Sequence, residues 1–489
     1  MNTQTDSSAR GLTIGKQKRT VAHVNGTPTG TRNGQDAAAH AQDNRRFYLS
    51  ETGLAERFAR DHGQAVRWCE TWKKWLVYTE THWQIDASQH VRTRAKQVVR
   101  SLYTEATAAT DSDTRKELGK FALRSEAEKV RRALLELAKS EDPIPALPTQ
   151  FDSDHSTWLL NVSNGTIDLK TGTLRAHDPA DYLTKCIPIV YDPKAVCPTW
   201  ETFLTTTMDG KEDVINFLWK AIGYSLTGDT TEQCLFFCHG AGSNGKSTFL
   251  NILRAVVGTY GKQTAFSTFL HHDRETVRND LADLAGTRLV VASEIEEGKR
   301  LNAVVVKTLT GDDPIKARFL FAEYFEFSPH MKIWLGMNHK PVITDTTYAM
   351  WRRVRLIPFT QTFEGDACDV SLPDKLRAEL PGILAWAVRG CLAWQEERLP
   401  LPEAVRVATA EYRDDMDVLS AFLGECCILD PRADVLTASL YDRYAEWCKK
   451  SGENMKTKKG FGLAMQDHGF ESGQISGGLR IWKGLNLAS

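Results

Sequence analysis

The feature that most constrains this chain is Gly240-Ala-Gly-Ser-Asn-Gly-Lys-Ser247, a phosphate-loop pattern set between an apolar run and an amphipathic stretch. Cys234-Leu-Phe-Phe-Cys238 before it reads as a buried parallel strand. After it, Phe249, Ile252, Leu253, Val256 and Val257 recur at helical spacing until Gly258 stops the helix. In such a loop Gly240, Gly242 and Gly245, with Ser243 and Asn244 between them, let successive N–H groups aim at phosphate oxygens, and the helix N-terminus adds its dipole. Lys246 is placed for the β- and γ-phosphates, Ser247 offers its hydroxyl to Mg²⁺, and Thr248 follows in the same turn. The pattern predicts ATP and Mg²⁺ as ligands.

ATP hydrolysis at such a loop needs an acid at the end of a second strand. Arg288-Leu-Val-Val-Ala-Ser-Glu294 supplies a buried-type strand ending in a carboxylate. Glu294 is assigned the metal and water role, Glu296 stays open as its partner, and Glu297 reads as a solvated loop charge. A third apolar run, Ile333-Trp-Leu-Gly-Met337, ends at Asn338, whose amide is suited to orient water or touch the γ-phosphate, although Asn is also a common turn residue. Arg352 and Arg353, in Trp351-Arg-Arg-Val-Arg355, are cations that either reach a neighbouring subunit's ATP or form surface ion pairs. Between the second and third strands, Ile315–Phe321 and Tyr324–Phe327 read as a hairpin. Lys316 and Arg318 alternate with apolar neighbours there, so both project from one face and can grip a phosphate backbone.

A chain of 489 residues exceeds what one core usually serves, and two to four domains are expected. Residues 1–44, rich in small polar residues, read as a disordered tail. Residues 45–146 read as mostly helical, with a short hairpin at Trp75–Tyr78 and His82-Trp83, and an apolar stripe of Val98, Val99, Leu102 and Tyr103. The crowd of Trp68, Trp72, Trp75, Tyr78 and Trp83 reads as buried core in preference to a base-stacking platform. Turn pairs divide 147–199 into a β-rich connector, and 200–400 alternates strand and helix as a three-layer α/β domain does. The segment 410–489 reads helix, helix, helix, hairpin, the order of a winged helix, with Lys456, Lys458 and Lys459 opening one helix as candidate DNA contacts.

With 61 basic against 62 acidic residues the chain is not coated in positive charge, so any nucleic-acid surface must be local. Ten irregularly spaced cysteines without a CxxC pair argue for reduced thiols and against structural zinc. No signal peptide or apolar run of roughly 18 residues stands out, so a cytoplasmic protein without a membrane span is expected.

Taken in order, Gly240–Thr248, Leu289–Glu297, Lys307–Arg318, Lys332–Pro341 and Trp351–Phe359 resemble the superfamily 3 helicases, and among them the phage and plasmid primase–helicases related to the poxvirus primase–helicase. Leu159–Leu169 and Trp75–Trp83 resemble the domain that precedes the motor in that family, and the Cys448 region its C-terminal winged helix. The resemblance implies an AAA+ ATPase in a hexameric ring that translocates on single-stranded or forked DNA, with each ATP site shared between neighbours. It implies Lys246 and Ser247 at the phosphate and Mg²⁺ positions, Glu294 as metal-associated acid, and Asn338 as first sensor. Arg352 or Arg353 matches the arginine finger, and the hairpin after Gly311 the DNA-gripping loop. Ile295 separates Glu294 from Glu296, a departure from the paired acids of many relatives.

Many relatives carry a primase domain first, whereas only low-complexity residues precede the family-like region here. Asp152-Ser-Asp154-His155 reads as linker, so primer synthesis is expected to fall to a separate primase or other replisome protein. Two other readings stand beside the helicase: an origin-binding initiator that uses ATP for assembly, and a small-molecule kinase, which the hairpin and C-terminal module disfavour.

Overall fold

The computed structural model describes residues 47–272, 278–320, 323–365, 368–452, 455–475 and 477–488. The tail read at 1–44 lies outside them. The chain divides into two compact units, one of residues up to Arg60 with Ala95–Ala138, the other of Asp61–Arg94 with Lys139–Ser489. The first is helical. Its described part joins most of helix Glu51–His62 to the later part of His90–Ala108, to Ser112–Ser125 and to Glu128–Ala138. Leu54, Phe58, Val98, Val99, Leu102 and Leu134 are buried, and Arg57 is buried against Glu105 at 2.6 Å. Tyr103, read into the same stripe, is instead 37% exposed, because it stands one residue past Leu102 and so turns about 100° away.

The second unit begins with a small sheet. Strands β1 (Val66–Cys69), β2 (Lys74–Tyr78) and β3 (Trp83–Ile85) form an antiparallel meander, and β4 (Pro145–Ala146) adds in parallel to β1. β2 and β3 are the hairpin read from the sequence, and β1 and β4 extend it into a four-stranded sheet. Trp68 and Trp83 are buried, and Trp83 stacks on Tyr182 with centroids 6.0 Å apart, whereas Trp72 is exposed. A second meander, β5 (Leu159–Val162), β6 (Gly165–Asp168) and β7 (Thr173–Arg175), follows. Leu160, Val162 and Ile167 share one buried cluster with Phe236 and Phe249, so this meander packs as part of the same core as the next sheet.

That sheet positions the site. β8 (Leu235–His239), β9 (Gly261–Gln263), β10 (Leu289–Ser293), β13 (Lys332–Met337) and β14 (Val354–Pro358) are all parallel, in the order β14-β8-β13-β10-β9; the hairpin β11 (Ile315–Ala317) and β12 (Phe325–Phe327) stands apart from it. The sheet is covered on both faces, which is why its strands read as unbroken apolar runs. Phe236 and Cys238 point into a cluster with Phe249 and Trp334; Leu235 and Phe237 point into another with Val290, Leu335 and Tyr412. Stacking of Phe236 on Trp334, with centroids 4.1 Å apart, locks β8 to β13. Truncating such a side chain to alanine costs about 3–5 kcal/mol.

The C-terminal part, from Val418, has its own core around Phe422, Tyr444, Trp447 and Phe461. Its order corrects the sequence reading. A strand, β15 (Cys427–Leu436), stands between the helices Val418–Cys426 and Thr437–Ser451; the helix Lys458–Asp467 and strands β16 (Ser472–Gln474) and β17 (Arg480–Leu487) complete an antiparallel sheet in the order β15-β17-β16.

Candidate functional site

In an all-parallel sheet every carboxyl end lies on one edge, and loops leaving that edge form the binding crevice. The register brings His239, the end of β8, level with Met337 on β13 and Pro358 on β14, while Ser293 on β10 is level with Gly336. Gly240, Asn338 and Glu294 thus leave the sheet from three adjacent strands.

The loop after β8 is held from both sides. The Gly240 N–H donates to the Met337 carbonyl at 3.3 Å, and the Phe363 N–H donates to the Ser243 carbonyl at 2.7 Å. Asn244, nearly fully buried, donates through Nδ2 to the Phe359 carbonyl at 3.2 Å. Ser243 and Gly245 adopt φ of 55° and 81°, which folds the backbone into a concave arc before helix Lys246–Val257 begins. A Cβ at Gly240 would overlap the Phe359 carbonyl oxygen and crowd the Asn244 amide, so only glycine fits there. Lys246 Nζ donates to the carbonyls of Gly240 and Ala241, both at 2.7 Å, and to Asn244 Oδ1 at 2.8 Å. Burial lowers its pKa from the ordinary lysine value.

Gly242 through Thr248 and Asn338 border a cavity of about 1030 Å³. That volume is at the upper end of the usual range for ligand sites, about 300–1,000 Å³. The opposite wall comes from helix Pro198–Thr207, through Phe203 and Thr206, and from the segment around Leu372 and Lys375. Thr207, also on the wall, buries a hydroxyl that has no protein partner among the described residues. The glycine-only cradle and this orphan hydroxyl both fit a ligand rich in hydrogen-bonding oxygens. These wall residues were invisible before folding, because they come from segments well before and after the loop and carry no motif.

Glu294 occupies a different position. It is exposed, with φ +70° turning the chain just past β10, and it borders a neighbouring depression with Ser267, His271 and Glu296 instead of the loop cavity. Glu296 pairs with Lys299 at 2.9 Å, which holds its carboxyl below the usual range. The structure therefore brings Lys246, Ser247 and Asn338 to one cavity and leaves Glu294 on the adjoining strand end.

The two arginines lie on the opposite edge. Val354 opens β14 level with Leu235, the start of β8, so Arg352 and Arg353 stand a full strand from the loop, about 16 Å at 3.3 Å per residue. Arg353 is buried and donates through Nε to Thr310 Oγ1 at 3.0 Å and through Nη1 to the Ala349 carbonyl. Arg352 is half-buried, with Gln233 Oε1 accepting from its Nη2.

In the hairpin, Lys316 faces Glu326 across the strands, and both Lys316 and Arg318 lie over the Tyr324 ring, at 5.3 and 4.7 Å from its centroid. In the C-terminal part, Thr457 caps helix Lys458–Asp467 by accepting from the Gly460 N–H at 3.2 Å. Lys458 and Lys459 are exposed, while Lys456 is tied by its backbone, its carbonyl accepting from the Tyr441 hydroxyl at 2.9 Å. Asp152 accepts from the Thr184 N–H at 2.9 Å and pairs with Lys185 at 3.0 Å, whereas Asp154 is exposed beside His330. The two carboxylates serve separate contacts.

The fold and loop together define a phosphate-loop α/β domain, with a β-rich region before it and a small α/β region after. Family comparisons divide the chain in a similar way: residues 55–209 match the D5 N terminal like family, 238–353 a family of unknown function, and 414–482 the poxvirus D5 protein-like family. The relationship to the poxvirus primase–helicase, read from the motif order, is shown by these matches. A protein of Acanthamoeba polyphaga mimivirus named as a helicase is 25% identical over 323 residues, covering 61% of this chain and 34% of its own length. The protein named Primase D5 of fowlpox virus (strain NVSL) is 26% identical over 151 residues, covering 30% of this chain and 19% of its own. The chain thus spans about a third or less of these relatives. An apo structure of the NrS-1 C-terminal region aligns with 88% of this chain and 99% of its own, at 10% identity and a TM-score of 0.46.

Proposed function

We propose that this chain is an ATP-dependent DNA helicase that works as a ring, a homo-hexamer of the AAA+ type with ATP cleaved between subunits, in the replication of a virus, phage or plasmid. One observation carries the reading. Lys246, Ser247, Asn338 and Glu294 leave the carboxyl edge of one parallel sheet, while the arginines stand just before β14 at its amino edge, a strand's length away. An arginine so placed meets ATP only on another copy. Arg352 is the one assigned to act in trans, since Arg353 is buried and already bonded to Thr310 and Ala349. Lys246 then holds the β- and γ-phosphates, Asn338 orients the attacking water, and Arg352 stabilises charge on the transferred phosphoryl group. Mg²⁺, when bound at Ser247 and Glu294, supplies charge neutralisation.

The helicase names of relatives such as the mimivirus protein support DNA as the substrate. The strand order, with the phosphate-loop strand between β14 and β13, supports the AAA+ assignment, and the helix–strand–helix–helix–hairpin order after Val418 supports a winged helix. We assign primer synthesis to a separate protein, since Asp152 and Asp154, which superficially pair as polymerising carboxylates do, serve separate contacts. The setting is the host cytoplasm.

The test is phosphate release and strand displacement on a forked duplex by the wild type and Lys246→Ala. Both activities should vanish in the variant; displacement that survives it sinks the reading. The exposed Lys458 and Lys459 favour a second reading, an origin-binding initiator that uses ATP chiefly for assembly. A large preference for one duplex sequence over random single strands, together with weak displacement, would select it.

A further inference from the structure

The hairpin β11–β12 is poorly equipped to hold DNA by charge. Residues 315–327 carry two basic side chains, Lys316 and Arg318, against two acidic ones, Glu323 and Glu326, a net charge of zero. Glu326 stands directly across from Lys316, so its carboxylate offsets the nearer cation. Counterion release from so few charges gives little affinity. What the hairpin does present is aromatic surface. Tyr324 is 56% exposed and Phe319 45%, and Phe319 stacks on Phe325 with centroids 5.7 Å apart and planes 20° from parallel. Both cations lie over the Tyr324 ring. An exposed ring with two cations beside it suits a partner that is both flat and anionic.

We propose that Tyr324 is a base-stacking residue: one unpaired nucleobase of a single strand lies on its ring, while Lys316 and Arg318, steered by the same ring, meet the phosphates on either side. This rests on the helicase reading and deepens it. The chemistry demands an unstacked base, because a base inside a duplex has no free face. Contact is sequence-tolerant, as every base has a face to offer, and the stacking share of the affinity is insensitive to salt.

The test measures binding of the full-length chain to a fluorescein-labelled 20-nucleotide dT strand and to an abasic strand of equal length, across a salt series. Wild-type protein should bind dT roughly tenfold more tightly than the abasic strand, within the 1–3 kcal/mol per stacked base. Tyr324→Ala should lose that preference with its salt slope unchanged, and Tyr324→Phe should keep it. Lys316→Ala should instead lower the salt slope by about 0.7 and keep the base preference. Equal wild-type binding of the two strands, or a Tyr324→Ala variant that keeps the preference, overturns the proposal. So does a Tyr324→Ala variant whose only change is a smaller assembly by sedimentation, which would make the ring a contact between copies. Failure of the parent reading looks different: ATP turnover with no binding to any strand. Because Tyr324 lies outside the nucleotide cavity, DNA-free turnover of Tyr324→Ala checks that the variant is folded.

Discussion

Two lysines in the same α/β domain show what separates a candidate site cation from a structural one. Lys246, at the carboxyl edge of the five-stranded sheet, donates to two loop carbonyls and an amide oxygen beside a large cavity. Lys332, at the amino edge, donates to the carbonyls of Thr227, Asp229 and His330 and lies 4.7 Å from the centre of the Tyr224 ring. Arg288, next to it in the sheet, donates to the carbonyls of Leu226, Ser156 and Leu159. Leu226 and Thr227 end the helix Glu212–Leu226, whose last carbonyls have no partner within the helix and form its negative pole. The amino-edge cations therefore finish a helix end. Burial lowers both lysines, Lys332 as far as about 7. Only Lys246 borders open space, so only its acceptors can be exchanged for those of a ligand. A buried cation is a functional candidate when its partners are replaceable, and burial alone does not decide it.

The largest effect that would break this comparison is loss of ATP turnover. Lys246→Ala should lower phosphate release by about a hundredfold or more, with the melting temperature moving little; a large loss of stability with turnover retained would reverse the two roles. Next, Arg352→Ala should lower turnover steeply, and mixing it with Lys246→Ala should regain activity, because mixed assemblies contain some interfaces with both groups intact. Arg353→Ala should act on stability instead, and equal kinetic defects in both variants would remove the distinction. At the amino edge, Arg288→Met leaves the Leu226, Ser156 and Leu159 carbonyls without their donor and should cost about 2–4 kcal/mol in urea unfolding, while the folded fraction still binds nucleotide.

The same edge should also give a pH dependence. An unfolded lysine titrates near 10.4, so with the folded value near 7 the folded chain binds fewer protons between those limits. Unfolding free energy should then rise with pH across about pH 7 to 10, and this contribution is absent below 7, where both states are protonated. Lys332→Met should flatten that rise in thermal melts taken through the window; an unchanged slope would show that Lys332 stays charged in the fold.

Much of the carboxyl edge was legible in the sequence because its chemistry is local. Gly240–Ser247 must be contiguous to wrap a phosphate, and Asn338 and Glu294 are visible as polar ends of apolar runs. The amino edge was not legible: Arg288 and Lys332 look like ordinary solvated charges until the chain folds carbonyls from distant segments around them. The far wall of the cavity was hidden for the same reason, since Phe203 and Leu372 meet the loop only in space. β15 escaped because its side chains are largely exposed and show no period-2 pattern. The strand order cannot be read from a list of strands either: β9, three residues long, takes an edge far from β8, which it follows in sequence.

β14 ties the two edges of the sheet together. At one end it continues into Phe359, whose N–H donates to the His239 carbonyl and whose own carbonyl accepts from Asn244, the residue that holds Lys246. At the other end it is preceded by Arg352. The strand is a stiff strut, braced along its whole length by β8, with the phosphate loop bolted to its head and the outward arginine at its foot. In the ring proposed above, a pull on Arg352 would reach the loop along this paired strand, and successive sites would work as links of one chain under tension.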